Sequence, residues 1–154
     1  MDTEPRGAAS DRPYDPWRDL AENWPGVEVV HEPMRGSLLG ELRFPVIALR
    51  AGTSAAQQRC TLAHELVHLE RGGSCGGPWS AREELLVHAE AARRLVPLTA
   101  LADAIAEIGG DHDVGALARL LEVDTETARL RLRLLDAAER ARLRAGLNPE
   151  TWVA

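Results

Sequence analysis

The segment Arg59–Gly73, RCTLAHELVHLERGG, constrains the fold more than any other stretch of the chain. Leu62, Ala63, Leu66, Val67 and Leu69 recur at helical spacing and form one apolar band, and Gly72-Gly73 stops the helix. A band of that width must be covered, so this helix belongs inside a domain. It also carries two histidines four residues apart, with a glutamate directly after the first.

The neighbouring segments supply what could cover it. Asp15–Trp24 reads as a short helix, with Pro16 at its first position behind an Asp cap. GVEVVHEP and LLGELRFPVIALRAG are rich in Val, Ile and Leu, are separated by MRGS, and are expected as antiparallel strands. Pro45 inside the second run demotes part of it to an edge or a bulge. After the loop GGSCGGPW, the run SAREELLVHAEAARRLVP is a second helix, with Ser80 as cap, Glu83 three residues on and Pro97 at the end. Helices are also expected over LTALADAIAEI, VGALARLLE and TETARLRLRLLDAAERARLRAG. A small early sheet followed by helices makes the chain α+β.

Bulk properties narrow the function. With aromatics at 4% the core must be built mainly of Leu, Val and Ala. The formal charge of -6 disfavours unaided binding to DNA or to anionic membranes. The polar, Pro/Gly-rich N-terminus lacks a signal's apolar stretch, and no window reaches the ~18 apolar residues of a membrane span. Two cysteines, Cys60 and Cys75, are too few for a disulfide framework and are expected as reduced thiols. The expected setting is cytoplasmic.

His64-Glu65-Leu66-Val67-His68 is the H-E-x-x-H pattern. Helical positions four apart share a face, so two imidazoles at that spacing can converge on one Zn²⁺. Glu65 lies off that face by one residue, where a general base reaches water without occupying the metal. A third protein ligand is needed, with the fourth position open for hydrolysis. The second helix offers Glu83, Glu84, His88 and Glu90. Its apolar stripe Val87, Ala91 and Leu95 extends back one turn to Glu84, which is the expected third ligand, while Glu83 and Glu90 fall on the flank. His88, one turn on, stands as an alternative ligand, a group behind the ligands or a surface histidine. Cys60, four residues before His64, is expected to be a bystander, because a thiolate there would close the open site.

QRCTLAHELVHLERG followed by EELLVHAEAARRLVP resembles the ImmA/IrrE family of zinc metallo-endopeptidases, in its short actinobacterial and phage-like form. The resemblance runs from about residue 25 to 98, and more loosely to the end. It implies that His64, His68 and Glu84 hold one Zn²⁺ per chain and that Glu65 is the catalytic glutamate. The family commonly has Ala-Asn and Phe-Ala where this chain has Val87-His88 and Glu90-Ala91. It further implies cleavage of a helix-turn-helix transcriptional repressor, relieving repression of phage, mobile-element or stress genes. Tyr14, His31 and His112 are candidates for an additional oxyanion donor.

These readings divide the chain into a tail over 1–14, a zinc metallopeptidase domain over 15–97 and a helical region over 98–154 packed on it. The expected architecture is a small antiparallel sheet on a zincin-type helical core. The last region has the outline of a helix-turn-helix, with a turn at Glu122-Val123-Asp124 and Arg129, Arg131 and Arg133 alternating along its second helix. Its 10 acidic against 7 basic side chains favour a scaffolding or docking role over DNA reading, with the arginines on a solvated, ion-paired face. The competing function is a non-catalytic regulatory module that binds a repressor or DNA through these helices.

Overall fold

The computed structural model describes residues 13–72, 81–109 and 113–146. It is α+β, and the described residues form seven helices and one three-stranded sheet. Helix α1 (Pro16–Asn23) starts as expected: the Asp15 carboxylate accepts from the Trp17 amide at 3.0 Å, with Pro16 at the first helical position. Strands β1 (Glu28–Glu32), β2 (Gly40–Arg43) and β3 (Val46–Arg50) follow.

The sheet is mixed rather than antiparallel. The apolar run after residue 37 contains two strands, because Pro45 has no N–H to give a ladder and turns the chain between them. β2 and β3 therefore pair antiparallel, with Leu42 opposite Ile47. β1 joins the other edge of β3 in parallel, with Val30 opposite Ala48, giving the order β1-β3-β2. Residues 33–39 carry the chain past β3, and Arg50 Nη2 anchors that passage by donating to the carbonyls of Met34 and Gly36 at 2.7 Å each.

Helix α2 (Ala55–Glu70) opens on a capping box in which Ser54 and Gln57 satisfy each other's backbone amides. Its apolar residues do not make one band; they divide between two cores. Leu62, Leu66 and Leu69 pack with Leu42, Ile47 and Leu49 of the sheet. Cys60, Ala63 and Val67 turn the other way, into a core shared with α3 (Ala81–Leu95) and the C-terminal helices. With two flanks buried, α2 is the central element of the fold.

The remaining helices are α4 (Leu98–Glu107), α5 (Val114–Leu120), α6 (Thr125–Arg133) and α7 (Ala137–Gly146). The sequence reads as one helix through the last two, but the chain breaks after Leu134. Asp136 takes the Glu139 amide at 2.7 Å, and Glu139 takes the Asp136 amide at 3.2 Å, a reciprocal cap that starts α7. The turn between α5 and α6 places Glu122 at φ +53°, a left-handed conformation that glycine adopts more readily. Arg59 of α2 ties that turn down by donating to the Leu121 and Glu122 carbonyls at 3.1 and 2.9 Å.

Arg131 corrects the expectation of a solvated arginine face. It is 2% exposed, donates through Nε to the Val96 carbonyl at 2.8 Å, and pairs through Nη2 with Glu139 at 2.6 Å. Arg129 is a surface residue paired with Glu126 at 2.5 Å. Among the described residues, no helix is long and apolar enough to cross a membrane.

Candidate metal centre

Beside its buried flanks, α2 presents His64 and His68 toward Glu84 of α3. The small residues Ala89, Ala91 and Ala92 and the buried Val87 and Leu95 let α3 come close. Glu84 lies one turn before Val87 and reaches across. Its Oε1 stands 3.1 Å from His68 Nε2, its Oε2 stands 3.4 Å from His64 Nε2, and the two Nε2 atoms are 3.0 Å apart. His64, His68 and Glu84 are the described residues that gather ligand atoms in this way.

These spacings suit a metal. Three ligands bonded at about 2.0–2.1 Å in a tetrahedral arrangement stand about 3.3–3.4 Å apart, close to the triangle observed. Two imidazole nitrogens and one carboxylate oxygen also form a donor set suited to zinc. Electrostatics prepares the set. Burial, with His88 and His68 nearby, lowers His64 to about 3. Burial also lowers His68, against the opposing pull of the Glu84 carboxylate. Both rings are thus neutral at physiological pH, the state in which imidazole binds a metal.

Glu65 faces the other way from α2, toward β2. It is 6% exposed, and the Leu42 backbone amide donates to it. Burial, the Glu84 charge and, more weakly, Glu41 raise its carboxyl to about 8, against the lowering effect of the Leu42 amide. Gly40 makes this approach of strand to helix feasible. A Cβ there would collide with Thr61 Cγ2, lie 3.2 Å from Glu65 Oε1 and lie 3.3 Å from the Ala48 carbonyl. Gly40 and the Leu42 amide were not among the candidates read from the sequence; a glycine at the first position of the alternating strand Gly40–Arg43 was the signal available. A cleft of about 350 Å³ opens over the cluster, lined by Leu38, Gly40, Thr61, His64, Glu65 and His88 among others.

His88 lies beside the cluster, its Nε2 3.9 Å from Glu84 Oε2 and its ring 4.3 Å from that of His64. Glu90 is directed away and pairs with Arg94 at 2.8 Å; Glu83 is outside the converging set. Cys60 is buried, its Sγ accepts from the Asp124 amide at 3.4 Å, and burial pushes its thiol up to about 11. That is the behaviour of a packed cysteine. Neither described candidate for an extra oxyanion donor lines the cleft. The Tyr14 hydroxyl donates to Asp19 at 2.8 Å, and His31 on β1 pairs with Gln58 at 3.2 Å. Ser80, Cys75 and His112 lie outside the described residues.

The peptidase M78 family model, described as the IrrE N-terminal-like domain, matches residues 24–133. The match takes in the sheet, both helices of the centre and the α5–α6 unit. No curated protein and no solved structure matches the chain. A family match over more than half of the chain, on a fold that brings two histidines and a glutamate together, makes this protein a member of the IrrE N-terminal-like family of metallopeptidases.

Proposed function

We propose that the chain is a zinc-dependent endopeptidase in which His64, His68 and Glu84 hold one Zn²⁺ and Glu65 is the general base. The observation that carries this reading is the pairing of a three-ligand triangle with a buried carboxylate one residue from the first ligand and outside the triangle. A purely structural site has no use for such a base. When bound, zinc would polarise the scissile carbonyl and make a water more acidic.

The chain's own groups account for the rest. Glu65, held by the Leu42 amide, takes a proton from the attacking water and returns it to the leaving amine. A bound cation beside it would favour the ionised carboxylate that the first transfer needs. The low-dielectric wall made by α2 and the sheet strengthens each charge interaction in the cleft. β2 is an edge strand of the sheet beside Glu65, with backbone groups available to align an extended peptide. The layout, a small sheet over an H-E-x-x-H helix with the glutamate supplied by the next helix, fits a zincin-type core over 15–97.

The substrate we assign is a helix-turn-helix transcriptional repressor in the cytoplasm, whose cleavage relieves repression of phage, mobile-element or stress genes. The family resemblance supports this substrate. We treat α5 and α6 as a helix-turn-helix-like unit of the 98–154 region, packed on the peptidase part through α3 and the Arg131–Val96 bond. The alternative of a DNA-reading module is weakened because Arg131, the middle arginine of α6, is buried.

Elemental analysis of wild type, Glu84→Ala and Glu65→Gln, with a cleavage assay on a helix-turn-helix repressor, tests the proposal. Wild type and Glu65→Gln should each hold about one zinc and Glu84→Ala should lose most of it, while only wild type cuts. A wild-type protein that holds no zinc when supplied with it refutes the metal centre. A Glu65→Gln variant that still cuts refutes the base.

A further inference from the structure

His88 occupies a position that the three-ligand site does not account for. α2 and α3 each present a pair of residues four apart to the other: His64 and His68 from one, Glu84 and His88 from the other. The His88 ring lies closer to the His64 ring, at 4.3 Å, than the ring of His68 does, at 4.7 Å. Its Nε2 is 3.9 Å from Glu84 Oε2, whereas ligands sharing a tetrahedral metal stand about 3.3–3.4 Å apart. His88 stands outside the group of ligand atoms that converge, so its imidazole must turn about χ1 and χ2 to reach the ion.

Burial separates His88 from the other three. Its side chain is 56% exposed, against 16% for His64, 5% for His68 and 35% for Glu84. It lines the same cleft as Glu65. His64 and His68 are held by packing, and His88 has room to move.

We infer that His88 is a fourth, displaceable ligand that closes the metal's open position until substrate takes its place. The inference rests on the metal-centre reading above and adds to it a resting state with a His₃Glu donor set. Neutral imidazole is a good zinc ligand, and the exposed side chain regains hydration and rotamer freedom when it leaves. A peptide carbonyl would therefore compete with His88 for the ion, and entry to the cleft would be coupled to opening of the site.

The test uses the full chain and its His88→Ala variant, each loaded with Zn²⁺ for X-ray absorption and with Co²⁺ for visible spectroscopy. Imidazole scattering should count three histidines in wild type and two in the variant, and the Co²⁺ bands should change in position and intensity as water replaces the imidazole. Acetohydroxamate, a small metal-chelating probe, should bind the variant about tenfold tighter if His88 blocks nine-tenths of the resting sites. Two histidines in both proteins, with equal hydroxamate affinity, overturns the assignment while leaving the metal centre intact. A wild type that takes up neither metal overturns the metal-centre reading and this inference together.

Discussion

Replacing Arg131 with methionine separates a buried structural arginine from a solvated one. The residue is 2% exposed and makes two connections that methionine cannot: Nε to the Val96 carbonyl at 2.8 Å, and Nη2 to Glu139 at 2.6 Å. Methionine fills much of the space of the arginine stem, so the loss is mainly polar. A charge-assisted pair contributes about 1.5–3 kcal/mol, and a buried carbonyl left without its donor costs about 1–3 kcal/mol. Glu139 is 22% exposed and regains water, which holds the sum at the low end. Arg131→Met should therefore destabilise by roughly 3 kcal/mol, or lower Tm by about 6–12 °C. Urea titration followed by circular dichroism reads the first value, and calorimetry reads the second.

The pH profile supplies an independent sign for the same pair. The hydrogen bond from Arg131 holds the Glu139 carboxyl below its ordinary value. Its folded pKa lies below its unfolded one, so its contribution is present above about pH 4.5 and fades as pH falls further. Arg131→Met should flatten that acid limb. A variant within about 0.5 kcal/mol of wild type, the range of an ordinary surface change, would refute the burial argument and restore Arg131 as a candidate for reading DNA.

Other outcomes follow from the centre itself. Gly40→Ala should destabilise by about 1–3 kcal/mol through overpacking, since the new Cβ meets Thr61 Cγ2 and Thr61 is held by its hydroxyl donating to the Gln57 carbonyl at 2.8 Å. Adding Thr61→Ser, which removes that methyl, should recover most of the loss; a double mutant no better than Gly40→Ala places the strain elsewhere. For the metal-free protein, His64 is lowered from 6.5 to about 3 on folding. The unfolded chain therefore binds the extra proton between those values, and stability should fall as pH drops through that window. Zn²⁺ should shift the decline, because protons then compete with the ion for the ligands. A stability curve flat from pH 6.5 to 4, with or without metal, contradicts the burial of that ring.

The local elements were legible in the sequence wherever a short-range rule governed them. Asp15-Pro16 marked the start of α1, and the histidine spacing placed two rings on one face of α2 because a helix repeats every 3.6 residues. Glu84 was legible for a related reason. It continues the Val87, Ala91 and Leu95 stripe, and a carboxylate on a packing stripe calls for a partner. The break between α6 and α7 was also written, in Asp136 and Glu139, but the arginine-rich helical pattern around it masked the cap.

Tertiary structure decided what depends on which surfaces meet. The sequence carried the β2–β3 turn in Pro45, yet the parallel addition of β1 depends on which edge of β3 was free, and strand patterning is the same for either direction. The apolar residues of α2 could be counted along the chain, but only two flanking layers divide them between two cores. Arg131 alternates with Arg129 and Arg133 in a way that reads as a solvated face; the Val96 carbonyl and Glu139 that bury it come from residues brought together by folding. Gly40 acquires its role from the same cause, since only the packed fold puts Thr61 and Glu65 where its side chain would be. The sequence alone determined which groups could bind a metal, because that follows from residue type and helical period. Their closeness, burial and neutrality came from α3 packing across α2, a contact that no local pattern encodes.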